Sequence, residues 1–470
     1  MYLPNEACVI HPDNGSTNMA IVQLAKTRSR DIKRGKENGL RKLALLSLLL
    51  SASVTVCAGA QDDEWAMDDW GEEAEKAYRF SGFAELAGGM RVADDPAIDG
   101  RKTLADLRLQ LAFDYDLSAS RISITTDAYY DGVLDQLKVQ VREAAWQGNL
   151  SALGSWGSHF DLKVGQQVLT WGTGDYVFLN DLFAKDFQSF FAGRDDEYLK
   201  APSLSAKLSG FFEAFNLDFV VTPDFTPDNY INGDYFSFFS PLAAQNVAPG
   251  FDVASSLQPN SPEFALRLYK SIGATELAFY AYDGFHKSPN SFTQDFLPTF
   301  SALTVYGASA MTTLGPGLVN VEFAYYDSKD DPSGDNPLVP NSQVRYLIGY
   351  EQELIKNLRG SVQWYVERSQ DYDQQIQRSL APEFETGRSR VWITQRLMYR
   401  AMQQTLTFNA FNFYSSSDQD GYLKLSADYS PVDAWRLSAG ANLFYGEQAF
   451  TFFGQFKDAS NAFVRYRYFY

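Results

Sequence analysis

The sequence predicts an all-β protein, a transmembrane antiparallel β-barrel of about 16–18 strands with long external loops and short periplasmic turns. Three observations predict it. Apolar and polar residues alternate with period two over many separate segments. The connections between those segments run alternately long and short. The chain also ends on "NAFVRYRYFY", where Ala462, Val464, Tyr466, Tyr468 and Tyr470 share one face and Phe463, Arg465, Arg467 and Phe469 the other. A strand between lipid and a polar interior needs that pattern.

The elements follow in chain order. An apolar run, "LALLSLLLSASVTV", covers Leu43–Val56 and follows a basic stretch that includes Lys26, Arg28, Arg30, Lys33, Arg34, Lys36, Arg41 and Lys42. Ala58-Gly59-Ala60 comes next and matches a small-residue cleavage site. Residues 1–60 are therefore an N-terminal extension and cleaved signal peptide, with translation expected to start nearer Met19. The run is too short to span a bilayer comfortably, which disfavours a membrane anchor. Val56 before Cys57 disfavours a lipidated cysteine. Residues 61–78 form an acidic periplasmic segment in which "AEKAY" near Ala74 can start a short helix. Residues 79–470 are the barrel.

Composition agrees with export and excludes several classes. Hydrophobic residues make up 45% and charged residues 21%, and mean hydropathy is −0.27, so the chain is neither disordered nor a helical membrane protein. Both cysteines, Cys8 and Cys57, precede the cleavage site, so disulfides do not hold the exported chain. The formal charge of −18 argues against nucleic acid as a partner.

The alternation is clear strand by strand. In "LRLQLAFDY", Leu107, Leu109, Leu111, Phe113 and Tyr115 oppose Arg108, Gln110 and Asp114. In "RISITTDAYY", Ile122, Ile124, Ala128 and Tyr130 oppose Arg121, Ser123, Thr125 and Asp127. "FDLKVGQQV", "VWITQRLMY", "YLKLSADY" and "WRLSAGANLFY" read the same way. Roughly eighteen such segments are expected, mostly of nine to twelve residues. Short connections include "DLSAS", "KSIGA", "TTLGPG", "RAMQ" and "SPVDA"; long ones lie near 171–201, 222–261, 284–301, 328–342 and 370–388. An even strand number puts both exported termini in the periplasm. The competing soluble sandwich also alternates. Strand length, Tyr399, Tyr429, Tyr445 and Tyr470 near strand ends, and lopsided loop lengths favour the membrane.

On these patterns the chain resembles a Gram-negative outer-membrane porin over nearly all of residues 79–470. "LKVGQQVLTWGTGDYVFLNDLF" is similar to a segment of poorly characterised porin-like barrels, some encoded near lipid or hydrophobe exporters. The resemblance implies residence in the cell outer membrane, with lipid and lipopolysaccharide around the barrel. It implies that Tyr466, Tyr468 and Tyr470 mark the last strand for the barrel-assembly machinery, and it leaves room for a homotrimer. Phe is the commoner last residue in such proteins.

If apolar positions face lipid, the other parity forms the pore wall. Arg108, Arg121, Lys163, Arg267, Arg396, Lys424, Arg436, Arg465 and Arg467 fall there, with Arg142, Lys207, Arg345 and Arg390. Facing lipid near the midplane, each would cost ~2–4 kcal/mol. Glu143 and Glu213 break the parity and predict a bulge or a strand end. The third external connection, 171–201, carries Asp175, Asp181, Asp186, Arg194 and Asp195. In porins the third loop folds inward, which would set this acidic segment against the basic wall as a constriction with a transverse field; the competing reading is a loop solvated outside. The aromatic loop at Pro223–Gly250 is expected to cap the mouth.

Asp327, Asp330, Asp331 and Asp335 could hold a divalent cation near lipopolysaccharide, but they lack EF-hand spacing, and no metal or cofactor is expected. After cleavage only His159 and His286 remain, neither with a serine or metal-ligand partner at recognisable spacing. No enzyme is expected. The function expected is passive diffusion of small polar or charged solutes, with loop 171–201 as the constriction. The alternative is a transporter of hydrophobic molecules or lipids working with an export system, which Trp392, Phe444, Phe463 and Phe469 on the lumen parity support. A structural adhesion barrel is a third, lesser reading.

Overall fold

A computed structural model describes residues 77–241 and 243–470. The expected signal peptide, the expected start at Met19, both cysteines, the expected acidic segment up to residue 76 and the expected helix near Ala74 lie outside these residues.

Eighteen antiparallel strands form one sheet. They are Tyr78–Arg91, Lys102–Leu117, Ser120–Asp131, Gln136–Asn149, Phe160–Val168, Pro202–Phe211, Asn216–Thr222, Glu263–Ile272, Thr275–Phe285, Ala302–Leu314, Gly317–Ser328, Gln343–Ile355, Leu358–Ser369, Ser389–Ala401, Leu406–Ser415, Asp420–Val432, Trp435–Gly446 and Asn461–Phe469. Each pairs with its neighbours in sequence. The first also pairs with the last, from Phe83 opposite Phe469 to Arg91 opposite Asn461, and this closes the barrel. Closure leaves no unpaired edge.

Burial is inverted relative to a soluble protein. Arg108 is 2% exposed, Arg467 5% and Glu322 1%, whereas Phe80 is 70% exposed and Phe279 63%. Only a non-aqueous exterior makes that arrangement stable: exposed apolar area costs about 25 cal/mol per Å² in water, and buried charges need partners. Exposed aromatics gather at both ends of the wall, with Tyr78, Tyr115, Tyr399, Tyr468 and Tyr470 at the end carrying the described termini and Tyr306, Tyr346, Tyr414 and Tyr445 at the other. Amphipathic rings at two levels suit the two interfaces of a bilayer.

The connections differ in detail from the sequence pattern. At the end with the termini, tight hairpins pair Ile272 with Thr275 and Leu314 with Gly317. Their first turn residues, Gly273 and Gly315, have φ of +60° and +57°, conformations that glycine adopts without a Cβ penalty. Residues 150–159 at the same end are longer and hold two 3-10 turns, Ser151–Leu153 and Gly157–His159. At the opposite end, residues 132–135 and 416–419 are short rather than long. Small added elements sit in the long loops: helices Phe187–Ala192 and Tyr372–Arg378, and the strand pairs Phe238–Ser240 with Gln245–Val247 and Ser291–Phe292 with Pro298–Thr299. The parity breaks are explained. Thr125 faces Glu143 and Thr126 faces Val141, so Arg142 is the extra residue of a bulge. Glu213 lies beyond the end of Pro202–Phe211.

Candidate functional site

The connection between Val168 and Pro202 is the third at its end of the barrel, and it crosses the lumen. Asp186 starts its helix, accepting hydrogen bonds from Ser189 N at 2.7 Å and Ser189 Oγ at 2.8 Å. Gly193 ends the helix in the left-handed region, φ +88°. A Cβ there would lie 2.2 Å from the Phe463 ring, so wall and helix approach as closely as a glycine allows. All six helix residues are buried. Phe191 packs against Tyr422, Phe444, Phe236 and Phe456 at ring-centroid distances of 5.5, 5.2, 6.2 and 5.4 Å. Apolar burial holds this part of the segment inside the barrel.

The flanks of the segment are held by polar contacts. Glu322, on strand Gly317–Ser328, accepts from Thr173 N, from Thr173 Oγ1 at 2.8 Å, from Gly174 N at 2.9 Å and from Asn180 Nδ2 at 2.7 Å. Asp175 pairs with Arg396 at 3.2 Å and accepts from Ser361 at 3.3 Å. Asp195 lies 3.0 Å from Arg465, 3.7 Å from Arg467 and 3.9 Å from Arg436. Asp196 pairs with Lys424 and accepts from the Tyr176 hydroxyl at 2.5 Å. Arg467 also binds Glu85 and Glu197, both at 2.8 Å. Burial raises the pKa of Asp195, but Arg465 and Arg467 outweigh it and hold the carboxyl below its ordinary value. At Glu197 burial prevails over Arg467 and the pKa is raised.

Not every expected site residue meets the opposite charge across the lumen. Asp181 and Asp186 turn onto their own loop and its neighbour: Asp181 binds Lys185 at 2.9 Å and Thr170 at 2.9 Å, and Asp186 caps the helix and accepts from Asn229 at 2.8 Å. Arg194 reverses the polarity, binding the wall carboxylate Asp106 at 2.6 and 3.2 Å, with Asp131 at 3.6 Å. Arg108 pairs with Asp127 at 2.6 Å and is sandwiched by Tyr129 and Tyr198, each ring centroid 4.1 Å away. Arg121 pairs with Asp116 at 2.5 Å beside a turn, Lys163 with Glu143 at 2.5 Å, and Arg267 with Glu276 at 2.7 Å. These last three are satisfied within the wall and do not touch the loop's acids. Tyr466, Tyr468 and Tyr470 point outward on the closing strand, and the Tyr470 hydroxyl donates to Gln110 O at 2.8 Å.

Loop 223–262 covers the segment from the far end. Tyr235 contacts Arg194 and Asp131, Gln188 donates to Tyr230 O at 2.5 Å, and Asn246 donates to Gln455 O at 2.6 Å in loop 447–460. The acids of "DSKDDPSGDN" serve nearby backbone: Asp330 accepts from Ala302 N at 2.7 Å at the start of a neighbouring strand, and Asp331 from Asp335 N at 3.1 Å within the loop. Among the described residues no group of three or more metal-ligating side chains converges.

Two cavities lie along the segment. One, of about 130 Å³, opens toward the far end and is lined by Phe178, His286, Lys287, Arg345 and Trp392 among others. The second, of about 180 Å³, lies toward the termini and is lined by Arg396, Lys424, Arg436 and Arg465. Tyr176 lines both. Its ring is wedged against Phe190 and Phe411, with centroids at 5.0 and 4.7 Å, which places it as a septum only in the sense that both linings include it. Neither the septum nor the Glu322 anchor had a signal in the sequence beyond lumen parity and loop order, because each exists only through contacts between distant segments.

No family model matches the sequence, and no curated protein matches it. Solved structures do. The outer membrane channel DcaP of Acinetobacter baumannii is 10% identical, with 84% of this chain and 97% of that one covered and a TM-score of 0.42. A triple mutant of the Rhodopseudomonas blastica porin is 12% identical over 84% and 100%, TM-score 0.37. A loop L8 deletion mutant of OmpT, an outer membrane protein of Vibrio cholerae, has the same identity, coverage and TM-score. At these values the likeness carries no argument about residues or cargo. The barrel stands on its own strand pairing.

Proposed function

We propose that the protein is an outer-membrane channel for passive diffusion of small polar or charged solutes, and that segment 169–201 is its constriction. The observation that carries this is a pair of cavities along the inward-folded segment, each with charged side chains among its lining, Lys287 and Arg345 in one and Arg396, Lys424, Arg436 and Arg465 in the other, with Tyr176 common to both. A barrel with a purely structural role has no need of a charged interior with cavities facing both ends. Acids of the segment, Asp175, Asp195 and Asp196, face an arc of wall cations, Arg396, Lys424, Arg436 and Arg465. That opposition orients dipolar solutes at the narrowest point. Lipid and lipopolysaccharide contact the apolar outer wall.

Conductance in planar bilayers tests the reading. Wild-type protein passes current that scales with bulk salt, and Tyr176→Ala, which joins the cavities, raises single-channel conductance. A folded Tyr176→Ala barrel with no current under any voltage sinks the channel. A second reading, transport of a hydrophobic molecule, is favoured by one observation: Phe191, Phe236, Trp392, Phe413, Tyr422, Phe444, Phe453 and Phe456 form a continuous aromatic mass on the lumen side. That reading expects lipid to co-purify and current to be absent.

A further inference from the structure

The geometry points to a binding site for a small organic carboxylate in the cavity on the terminal side of Tyr176. This deepens the channel reading and rests on it for its physiological role, though binding can be measured without current.

The cavity has two unlike walls. Tyr176, Phe411 and Phe463 supply aromatic surface. Arg396, Lys424, Arg436 and Arg465 supply positive charge. The acids that share the lining are already engaged. Asp195 is held by Arg465, Asp196 by Lys424 and the Tyr176 hydroxyl, and Asp428 accepts from Ser438 at 2.6 Å. The cations are less fully matched. Arg436 has a carboxylate no nearer than 3.9 Å and one long hydrogen bond to Ser430 at 3.4 Å. Arg465 is 7% exposed, and its Nε has no hydrogen-bond partner among the described residues. Arg436, 39% exposed and without a close carboxylate, is the cation left to bind a ligand, and a carboxylate is the acceptor whose planar geometry fits a guanidinium.

Size narrows the ligand. An apolar cavity of ~150 Å³ accommodates benzene, so about 180 Å³ admits a body of that size bearing one charged head. The head would lie between Arg436 and Arg465, competing with Asp195 for their protons, and the apolar body against Phe411 and Phe463. Phosphate alone would leave the aromatic wall uncovered.

Calorimetric titration of the purified barrel in detergent with benzoate tests this, with uncharged benzamide as the control. Benzoate is expected to bind and benzamide at least tenfold more weakly. Arg465→Gln is expected to weaken benzoate at least tenfold, and so is Arg436→Gln, whose side chain is 39% exposed and whose nearest carboxylate is 3.9 Å away. Equal affinities for the two probes, or unchanged benzoate affinity in folded Arg436→Gln and Arg465→Gln, overturn the site. In bilayers, benzoate added on the side of the termini should lower the current. Current without benzoate binding overturns the site and leaves the channel standing. Binding without current upholds the site and removes the channel.

Discussion

Replacing Glu322 by alanine should release the segment that crosses the lumen. Glu322 is 1% exposed and accepts from four donors of that segment, on Thr173, Gly174 and Asn180. Hydrogen bonds to an ionised acceptor contribute ~1.5–3 kcal/mol each, so four sum to ~6–12 kcal/mol if nothing replaces them. The lumen is polar, and water will satisfy some of the freed donors at little cost. A conservative loss is then ~3 kcal/mol, which multiplies the released-to-docked ratio by about 100. The barrel itself should survive, because neither the strand ladder nor the outer face changes. The assay is single-channel recording of wild-type and Glu322→Ala protein beside limited proteolysis. The fraction of larger-conductance openings, which report the released segment, should rise by up to about two orders of magnitude, and new cleavage should fall within 169–201. A folded variant with the wild-type conductance distribution and an intact segment would refute the anchor.

Four further outcomes follow from the geometry. Gly193→Ala combines a left-handed φ with a Cβ 2.2 Å from Phe463; it should undock the helix by ~1–3 kcal/mol and increase proteolysis at 187–200 without unfolding the barrel. Phe279→Arg puts a cation on the outer wall and should cost ~2–4 kcal/mol in reversible folding into bilayers, while Thr394→Arg, on the lumen parity, should not show that depth-dependent cost. Burial, assisted by Arg345, lowers the His286 pKa to about 3 from 6.5. The imidazole is neutral in the folded state, so its contribution is fully present above pH 6.5 and is lost as pH falls toward 3; loops at the far end should become more protease-sensitive across that window, and His286→Phe should flatten the dependence. Asp175→Asn removes the partner of Arg396 and should shift reversal potential toward anions under a salt gradient, whereas Asp181→Asn, which touches only its own loop, should not.

The wall was legible in the sequence because period two is local. Arg108 between Leu107 and Leu109, or Lys424 between Leu423 and Leu425, reports its face without any knowledge of the partner strand. The loop that fills the lumen was legible only in its order along the chain and its acidity. Which acids would reach across was not, because that depends on where the chain turns. Asp186 is consumed as a helix cap and Asp181 by Lys185, four residues on, while the neighbouring Asp195 and Asp196 point to the wall. The reversed pair Arg194–Asp106 joins a loop to a strand 88 positions earlier, and no pattern within either segment announces it. Short connections such as 132–135 broke the expected rhythm of loop lengths because a hairpin needs only a few residues wherever no cover is required.

Barrel closure fixes the order of events in making this molecule. The strand that seals the seam is Asn461–Phe469, and its partner Tyr78–Arg91 is the first of the eighteen. Until synthesis is complete, that first strand has a bare flank, so a ribosome-bound or half-translocated chain can have no finished wall. Closure of the wall must therefore wait for the last strand, and until then the many outward-facing rings of the other strands lack a finished barrel to sit on. A nonsense change that removes only the closing strand should thus be as damaging as one that removes half the protein.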